Sequence, residues 1–189
     1  MSRLISKTPV YEGWSKLYKA TIALDSGAVI TREVEDHGSA VAVLPYDPER
    51  RVALLVRQMR TGPLVDGAAD PHLLEVPAGL VDPGESEEIA VRREALEEVG
   101  ATLGVLDGVG SAYSCPGVST ERIALYLGAY ALADRVATGG GLEEENEEIE
   151  VIEAPLAHLA RLQDDGTLND MKTLVLLSAL RLRRPELFA

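Results

Sequence analysis

The stretch that decides the fold is residues 79–101, which read Gly-Leu-Val-Asp-Pro-Gly-Glu-Ser-Glu-Glu-Ile-Ala-Val-Arg-Arg-Glu-Ala-Leu-Glu-Glu-Val-Gly-Ala. It is a glycine-rich turn followed by a predicted helix, with Ser86 as its N-cap and Gly100 at its end. At about 100° per residue, three carboxylates of this helix share a wedge about 100° wide: Glu94, Glu97 and Glu98. The opposite side carries apolar residues that we expect to face a core: Ile89, Ala95, Leu96 and Val99. The pattern predicts a helix that packs through one face and presents acid on the other.

The acidic face has two interpretations, a solvated helix surface and a metal site. A solvated helix gains from pairs of opposite charge, whereas Glu94 and Glu98 are like charges four residues apart and should cost a few tenths of a kcal/mol. A hard divalent cation reverses the sign of that interaction. Mg²⁺ and Mn²⁺ take oxygen ligands and keep several waters, so this face suits a metal that also holds substrate phosphates.

The composition narrows the possible functions but does not identify one. The chain has 189 residues, enough for one globular domain, and a formal charge of −13. Such a surface repels nucleic acids and anionic membranes, so a small metal-complexed phosphate ester is the more credible partner. The single cysteine, Cys115, excludes an internal disulfide framework, and no segment has the pattern of a membrane span or a long signal core. We therefore expect a cytoplasmic protein.

The order of elements predicts an α/β fold, with a mixed central sheet in an α/β/α sandwich and a small N-terminal β-sheet extension. A hairpin is predicted around the turn at 25–27, and the signature helix and the two C-terminal helices follow strands. The predicted strands are 14–24, 28–34, 37–46, 51–60, 72–77, 104–113, 121–132 and 149–153. The predicted C-terminal helices begin near Pro155 and span 169–184.

An acidic run at 143–148 reads Glu-Glu-Glu-Asn-Glu-Glu. Such a run is by default a solvated, mobile loop. With a carboxylate metal site elsewhere in the chain, it can instead supply the base that activates water for attack on a diphosphate.

The spacing of the signature resembles that of the Nudix family. The matching positions are Gly79, Glu85, Arg93, Glu94, Glu97, Glu98 and Gly100. Segments 114–117, 139–151 and 170–173, together with Glu121, look like the ADP-ribose pyrophosphatase subfamily and especially its GDP-mannose hydrolase branch. This similarity extends from about Trp14 to Arg184.

The resemblance implies the following metal and catalytic roles. The carbonyl of Ala78 with the side chains of Glu94 and Glu98 would hold Mg²⁺, with Mn²⁺ possible, and Glu97 would join or orient a second ion. Glu85 and Arg93 would brace the turn against the helix. From the acidic run, Glu147 would reach the metal and Glu145 would be the general base.

The resemblance also implies substrate contacts. Arg60 would pair with a substrate phosphate. Gly79 and Leu80 would also contact substrate. Trp14, Arg32 and Glu33 would hold the nucleobase end, often from the other subunit of a domain-swapped homodimer, whereas Glu121 and Lys172 would contact the sugar-phosphate portion. Strand packing for Trp14 and ordinary surface charge for Arg32, Glu33 and Lys172 are the alternatives. By this resemblance, residues 1–36 are strands for dimerisation and substrate contacts, and 37–189 are the catalytic domain.

Two departures from the family pattern bear on the site. Relatives have Ser-Pro-Gly-Gly where this chain has Cys-Pro-Gly-Val at 115–118, and the acidic loop is longer by about two residues than in the GDP-mannose branch. The general base therefore stays open among Glu143, Glu144, Glu145 and Glu147. Cys115 has no histidine near it in sequence and is better explained as a small buried thiol than as a nucleophile. The histidines (His37, His72 and His158) are too scattered for a zinc site.

The resulting hypothesis is a Mg²⁺-dependent hydrolase that cuts the diphosphate of a nucleoside diphosphate sugar, such as ADP-ribose, into a nucleoside monophosphate and a sugar phosphate. A preference for GDP-mannose is the closest alternative. A non-catalytic Nudix-fold nucleotide-binding module is a second alternative, against which the intact acids argue. An mRNA-decapping role is a third, and the lack of a basic stripe counts against it.

Overall fold

The computed structural model describes residues 1–142 and 147–189. These described residues form two compact units, the first made of 1–40 with 111–123 and the second of 41–110 with 124–189.

The first unit contains a three-stranded antiparallel sheet in the order β1-β2-β3, made of β1 (Arg3–Glu12), β2 (Lys16–Ala23) and β3 (Val29–Asp36). The predicted hairpin is confirmed: Gly27 occupies the turn at φ 85°, and Leu24 N donates to Ala28 O at 2.8 Å. Strand β1 was not predicted, and all of its residues are exposed. The sheet extension is therefore larger than its sequence pattern indicated.

The second unit is built on a mixed sheet that, in the described part of the chain, has seven strands. The strand order is β10-β5-β4-β9-β8, with β6 paired to β5 and β7 paired to β4. Its strands are β4 (Ala40–Asp47), β5 (Val52–Met59), β6 (His72–Glu75), β7 (Ala78–Leu80), β8 (Leu106–Tyr113), β9 (Arg122–Ala129) and β10 (Glu150–Pro155).

Both faces of this sheet are covered by helices, so the predicted α/β/α sandwich is confirmed. The helices are α1 (Thr61–Val65), α2 (Glu87–Val99), α3 (Leu156–Asp164) and α4 (Met171–Arg183). Strand β4 is buried along its whole length, which is expected when neither face meets water. Val41 and Val43 share a buried core cluster with residues of α2, while Ala42 and Leu44 alternate to the opposite face of the strand and are also buried.

The predicted limits of α2 are confirmed. Ser86 Oγ accepts a hydrogen bond from Ile89 N at 3.4 Å at the start, and Gly100 ends the helix in the left-handed conformation at φ 68°.

The predicted apolar face of α2 is wrong in part. Ile89 and Leu96 are 59% and 41% exposed, whereas Glu94 and Glu98 are buried. They share the packed arc with four small or branched residues: Ala90, Val91, Ala95 and Val99. The buried arc of α2 therefore includes Glu94 and Glu98. The small alanines let the helix lie close to the sheet, and both carboxylates accept hydrogen bonds there, as described below.

The remaining differences from the predicted elements are local. The loop expected at 61–71 begins with α1, and the expected signature turn includes β7. Pro155 is the N-cap of α3 rather than its first residue. The predicted helix at 169–184 is present as α4, but it begins at Met171, because the Asp170 carboxylate caps it by accepting from Thr173 N at 2.8 Å. No helix of the described residues is long and apolar enough to cross a membrane.

We predict that Gly100→Ala destabilises the protein by more than Gly166→Ala. Both glycines have a positive φ, 68° and 76°, which costs an alanine about 1–2 kcal/mol. A Cβ at Gly166 meets open space, whereas one at Gly100 collides with the backbone carbonyl of Ala137. Urea unfolding of both variants measures the difference, and equal losses would contradict the packing of 136–140 against the end of α2.

Candidate active site

The site is built where α2 packs against β7. Gly79 lies in β7, and a Cβ at this position would collide with the Glu94 carboxylate. Only glycine allows this carboxylate to lie against the strand backbone. The signature glycine thus sets the distance between the turn and the acidic helix.

Glu98 is the most deeply buried acid of α2, at 2% exposure. Its Oε2 accepts a hydrogen bond from Ala78 N at 3.0 Å. Burial raises the pKa of Glu98 well above its usual value, and the charges of Glu94 and Glu147 add to this, while the Ala78 amide and Arg60 oppose it.

Glu94 lies one turn earlier and is also buried. Burial raises the pKa of Glu94 to about 7, Glu97 and Glu147 contribute in the same direction, and Arg93 opposes them. Two adjacent carboxylates that both favour protonation are a region of concentrated negative potential. Such a region binds a proton or a cation.

Arg93 connects the turn to the helix. Its Nε and Nη2 donate to the Glu85 carboxylate at 3.1 and 3.0 Å, and Nη2 also donates to Leu80 O at 3.0 Å. Its Nη1 donates to Glu94 at 2.7 Å and to Glu97 at 3.1 Å. The expected brace contact between Glu85 and Arg93 is present, and these acids raise the pKa of Arg93. Among the residues that the structure describes, no group of three or more His, Cys, Asp or Glu side chains already forms a metal-binding cluster.

A glycine segment at 139–141 is hydrogen-bonded to the end of α2. Gly140 N donates to Glu98 O at 2.9 Å, and Gly141 N donates to Glu97 O at 3.2 Å. All three glycines have positive φ, at 70°, 110° and 79°. The amides therefore satisfy carbonyls that the helix end leaves open, and they hold residues 140 and 141 against α2.

Glu147 contacts the residue that follows this glycine segment. Its Oε2 accepts from Leu142 N at 3.0 Å, and its charge acts on both Glu94 and Glu98. Three of the four candidate bases, Glu143, Glu144 and Glu145, lie outside the described residues, so the choice among them stays open.

A second group of charges centres on Glu75, which the sequence analysis missed. Glu75 is 1% exposed and accepts from Arg60 Nε at 2.7 Å and from Lys172 Nζ at 2.9 Å. Lys172 also donates to Asp170 at 2.7 Å. The structure thus brings together Arg60 and Lys172, the two predicted phosphate contacts of this unit. The available signal was a charged residue with apolar neighbours on both sides, in the sequence Leu-Leu-Glu-Val at 73–76.

The remaining predicted contacts lie in the first unit. Trp14 is 80% exposed and stacks on the ring of His37, with centroids 5.2 Å apart and planes at 19°. His37 in turn contacts Glu35 at 2.6 Å and Glu121 at 3.1 Å. Burial alone would lower the pKa of His37, but these carboxylates raise it above its usual value.

Trp14 and Glu121 therefore belong to one group, linked by His37. The sequence pattern did not indicate that His37 belongs to it. Arg32 and Glu33 are exposed neighbours on β3, and Arg32 donates to the carbonyl of Thr31 at 2.9 Å. The expectation that Cys115 is buried is wrong, because this free thiol is exposed.

This fold and the acidic helix α2 define a Nudix-domain protein. The family model described as the NUDIX domain matches residues 36–174, which is most of the chain. The chain therefore belongs to the Nudix family, whose hydrolases generally use divalent metal ions.

Within the family, the chain is similar to bacterial proteins named GDP-mannose pyrophosphatase. The protein from Cronobacter sakazakii is 41% identical over 152 residues, which cover 80% of this chain and 78% of that protein. The protein from Salmonella arizonae is 37% identical over 151 residues, with the same coverage of 80% and 78%. A crystal structure of an ADP compounds hydrolase shares the fold, with a TM-score of 0.77 at 20% identity over 98% of this chain and 95% of that chain.

We predict that the metal-free protein loses stability as pH rises from about 4.5 to about 7. A pKa raised from 4.5 to about 7 means that folded Glu94 keeps a proton which the unfolded chain has already lost in this window. The free energy of unfolding, measured in urea with EDTA across this range, should fall less steeply in Glu94→Gln. Glu88→Gln, at an exposed position of the same helix, should keep the wild-type slope. Identical slopes for wild type and Glu94→Gln would contradict the assignment.

Proposed function

We propose that this protein is a Mg²⁺-dependent hydrolase that cleaves the diphosphate of nucleoside diphosphate sugars to a nucleoside monophosphate and a sugar phosphate. The observation that carries the proposal is the pair of buried carboxylates, Glu94 and Glu98, on the Nudix helix of a chain that is 41% identical to a GDP-mannose pyrophosphatase. Turnover fits this arrangement better than simple binding, since a binding module has no need to bury two like charges.

The residues present fit a magnesium ion. Among the described residues, buried Glu98 accepts a single hydrogen bond, from Ala78 N to Oε2, so its Oε1 is available as an oxygen donor. Oxygen donors of this kind are those that Mg²⁺ or Mn²⁺ prefers. Glu94, Glu98 and the Ala78 carbonyl would hold the ion, with Glu97 and Glu147 available for a second. A bound ion supplies charge neutralisation of the diphosphate and a more acidic water.

The chain's own residues would supply the remaining chemistry. A loop glutamate, with Glu145 as the expected base and Glu143, Glu144 and Glu147 as the alternatives, would remove a proton from the attacking water as the water oxygen bonds to phosphorus and the anhydride P–O bond breaks. Arg60 and Lys172 bind the phosphoryl group that carries the departing negative charge. Gly79 and Leu80 contact the substrate through the turn.

The first unit would bind the nucleoside end of the substrate. Trp14 offers an exposed indole face for stacking, and Arg32 and Glu33 offer polar groups for the base edge. Glu121 would contact the sugar-phosphate portion. GDP-mannose is the second candidate substrate, which the identity to enzymes of that name favours over ADP-ribose, whereas the shared fold with an ADP compounds hydrolase leaves the base open.

The decisive experiment is a panel of nucleoside diphosphate sugars, including ADP-ribose and GDP-mannose, assayed with Mg²⁺ and with Mn²⁺. Wild type should release a nucleoside monophosphate, and Glu98→Gln should reduce kcat/KM by about 100-fold or more through loss of a metal ligand. Its stability in EDTA should equal or exceed that of wild type, since an uncharged amide avoids the cost of ionising a buried carboxyl group. Mg²⁺ should raise the Tm of wild type but not of Glu98→Gln.

The control for this experiment is Glu88→Gln, which should keep wild-type turnover and the Mg²⁺ effect on Tm. Loss of folding together with activity in Glu98→Gln would overturn the metal-ligand role. Absence of turnover by wild type on the whole panel would overturn the enzymatic proposal.

We also propose a cytoplasmic homodimer that associates through residues 1–36. Support comes from β1, which exposes apolar side chains along its length: Leu4, Ile5, Val10 and Tyr11. The exposed free thiol of Cys115 suits a reducing compartment.

We predict that Val10→Glu converts the dimer to a monomer, because it places charge in an apolar contact. Size-exclusion chromatography with light scattering measures the mass. Val105→Glu, at an exposed position of the second unit, should leave the dimer intact. A monomeric wild type would contradict the proposal.

A further inference from the structure

One buried carboxylate holds two cations that are far apart in sequence. Glu75, at the end of β6, accepts from Arg60 Nε at 2.7 Å through Oε1 and from Arg60 Nη2 at 2.9 Å through Oε2. Lys172 Nζ donates to the same Oε2, also at 2.9 Å. The guanidinium and the ammonium therefore lie side by side, on a common oxygen that is shielded from water.

The surrounding structure fixes this arrangement from both sides. Strand β6 is anchored to the start of α4, because Val76 N donates to Thr173 Oγ1 at 2.9 Å. Asp170 caps α4 through Oδ2, and its Oδ1 accepts from Lys172 at 2.7 Å. The ammonium is thus held by two carboxylates, and the backbone that carries it is tied directly to the strand that carries Glu75.

Stability alone does not account for such a cluster. Removing charges from water costs several kcal/mol per ion, and an apolar replacement of a buried ion pair is often neutral or stabilising. Burial would lower the pKa of both Arg60 and Lys172, but the charge of Glu75 outweighs this and keeps them protonated. The arrangement keeps two positive charges in one fixed place.

Arg60 retains binding capacity beyond this cluster. Its side chain is partly exposed, and within the described residues its Nη1 has no hydrogen-bond acceptor. Its charge also acts on Glu98, so the guanidinium lies within electrostatic reach of the buried acids of α2. A phosphoryl group adjacent to one held at those acids would meet Arg60 and Lys172 together.

We propose that Glu75 is a positioning residue, which orients Arg60 and Lys172 as a paired cationic site for the substrate phosphoryl group that the α2 acids do not hold. This inference rests on the proposed function. Its consequence is that Glu75 affects turnover only through the cations it orients, without touching substrate.

The test is a double-mutant cycle between Glu75→Gln and Arg60→Ala, read as kcat/KM on the best substrate of the panel. Glutamine keeps the volume of Glu75 but loses the charge and one acceptor. In the wild-type background it should reduce kcat/KM by about 10-fold or more, since small misplacements of a binding group are costly. In the Arg60→Ala background the same change should cost clearly less than in the wild-type background, because one of the two groups that Glu75 orients is already absent. Equal losses in both backgrounds would overturn the positioning role.

Two controls separate positioning from general damage. Glu153→Gln removes a carboxylate that pairs with Arg50 in the same unit, and it should leave kcat/KM within about twofold of wild type. If Glu75→Gln fails to fold, as judged by circular dichroism, Glu75→Asp keeps the charge and withdraws the acceptor, and the same cycle should show the same coupling. If wild type turns over substrate and Glu75→Gln has the same kcat/KM, this inference alone is refuted. If wild type shows no turnover, the proposed function is refuted.

Discussion

The structure depends on the burial of two like charges on the packed face of a single helix. Glu94 and Glu98 lie on the arc of α2 that meets the sheet, and burial raises the pKa of each. A protein tolerates this only when local groups partly offset the cost. Here the Ala78 amide and Arg93 do so, and Gly79 is small enough to let a carboxylate approach the strand.

The same constraint organises the parts that surround α2. The amides of Gly140 and Gly141 donate to the carbonyls of Glu98 and Glu97, so the backbone at the end of the acidic helix also holds the glycine segment at 139–141. On the other side, Arg60 acts electrostatically on Glu98 and is itself bound by Glu75. The site therefore contains two charged clusters, in which Arg93 pairs with the acids of α2 and Glu75 pairs with Arg60 and Lys172.

Much of this could be predicted from the sequence, because signature spacing, caps and β-rich runs are local signals. Ser86, Gly100 and the order of the strands follow from them. The buried face of α2 could not be predicted, because an amphipathic pattern places charged residues toward solvent and apolar residues such as Leu96 toward the core. In the structure, α2 packs on β7 with Glu94 buried and Leu96 exposed. Glu75 was missed because its partners lie 15 and 97 residues away, a separation no local pattern encodes.

Charge decides how an acidic chain can accept an anionic substrate. With 31 acids against 18 lysines and arginines, the protein as a whole repels a diphosphate. Protons partly neutralise Glu94 when no metal is bound, as its pKa of about 7 implies, but a proton offers no coordination site to phosphate oxygen. In the proposed function, a divalent ion would replace the proton and reverse the local potential, so metal affinity would rise with pH across the same range. On this proposal, substrate affinity would depend on neutralisation of the acids first and on the fixed pair of Arg60 and Lys172 second.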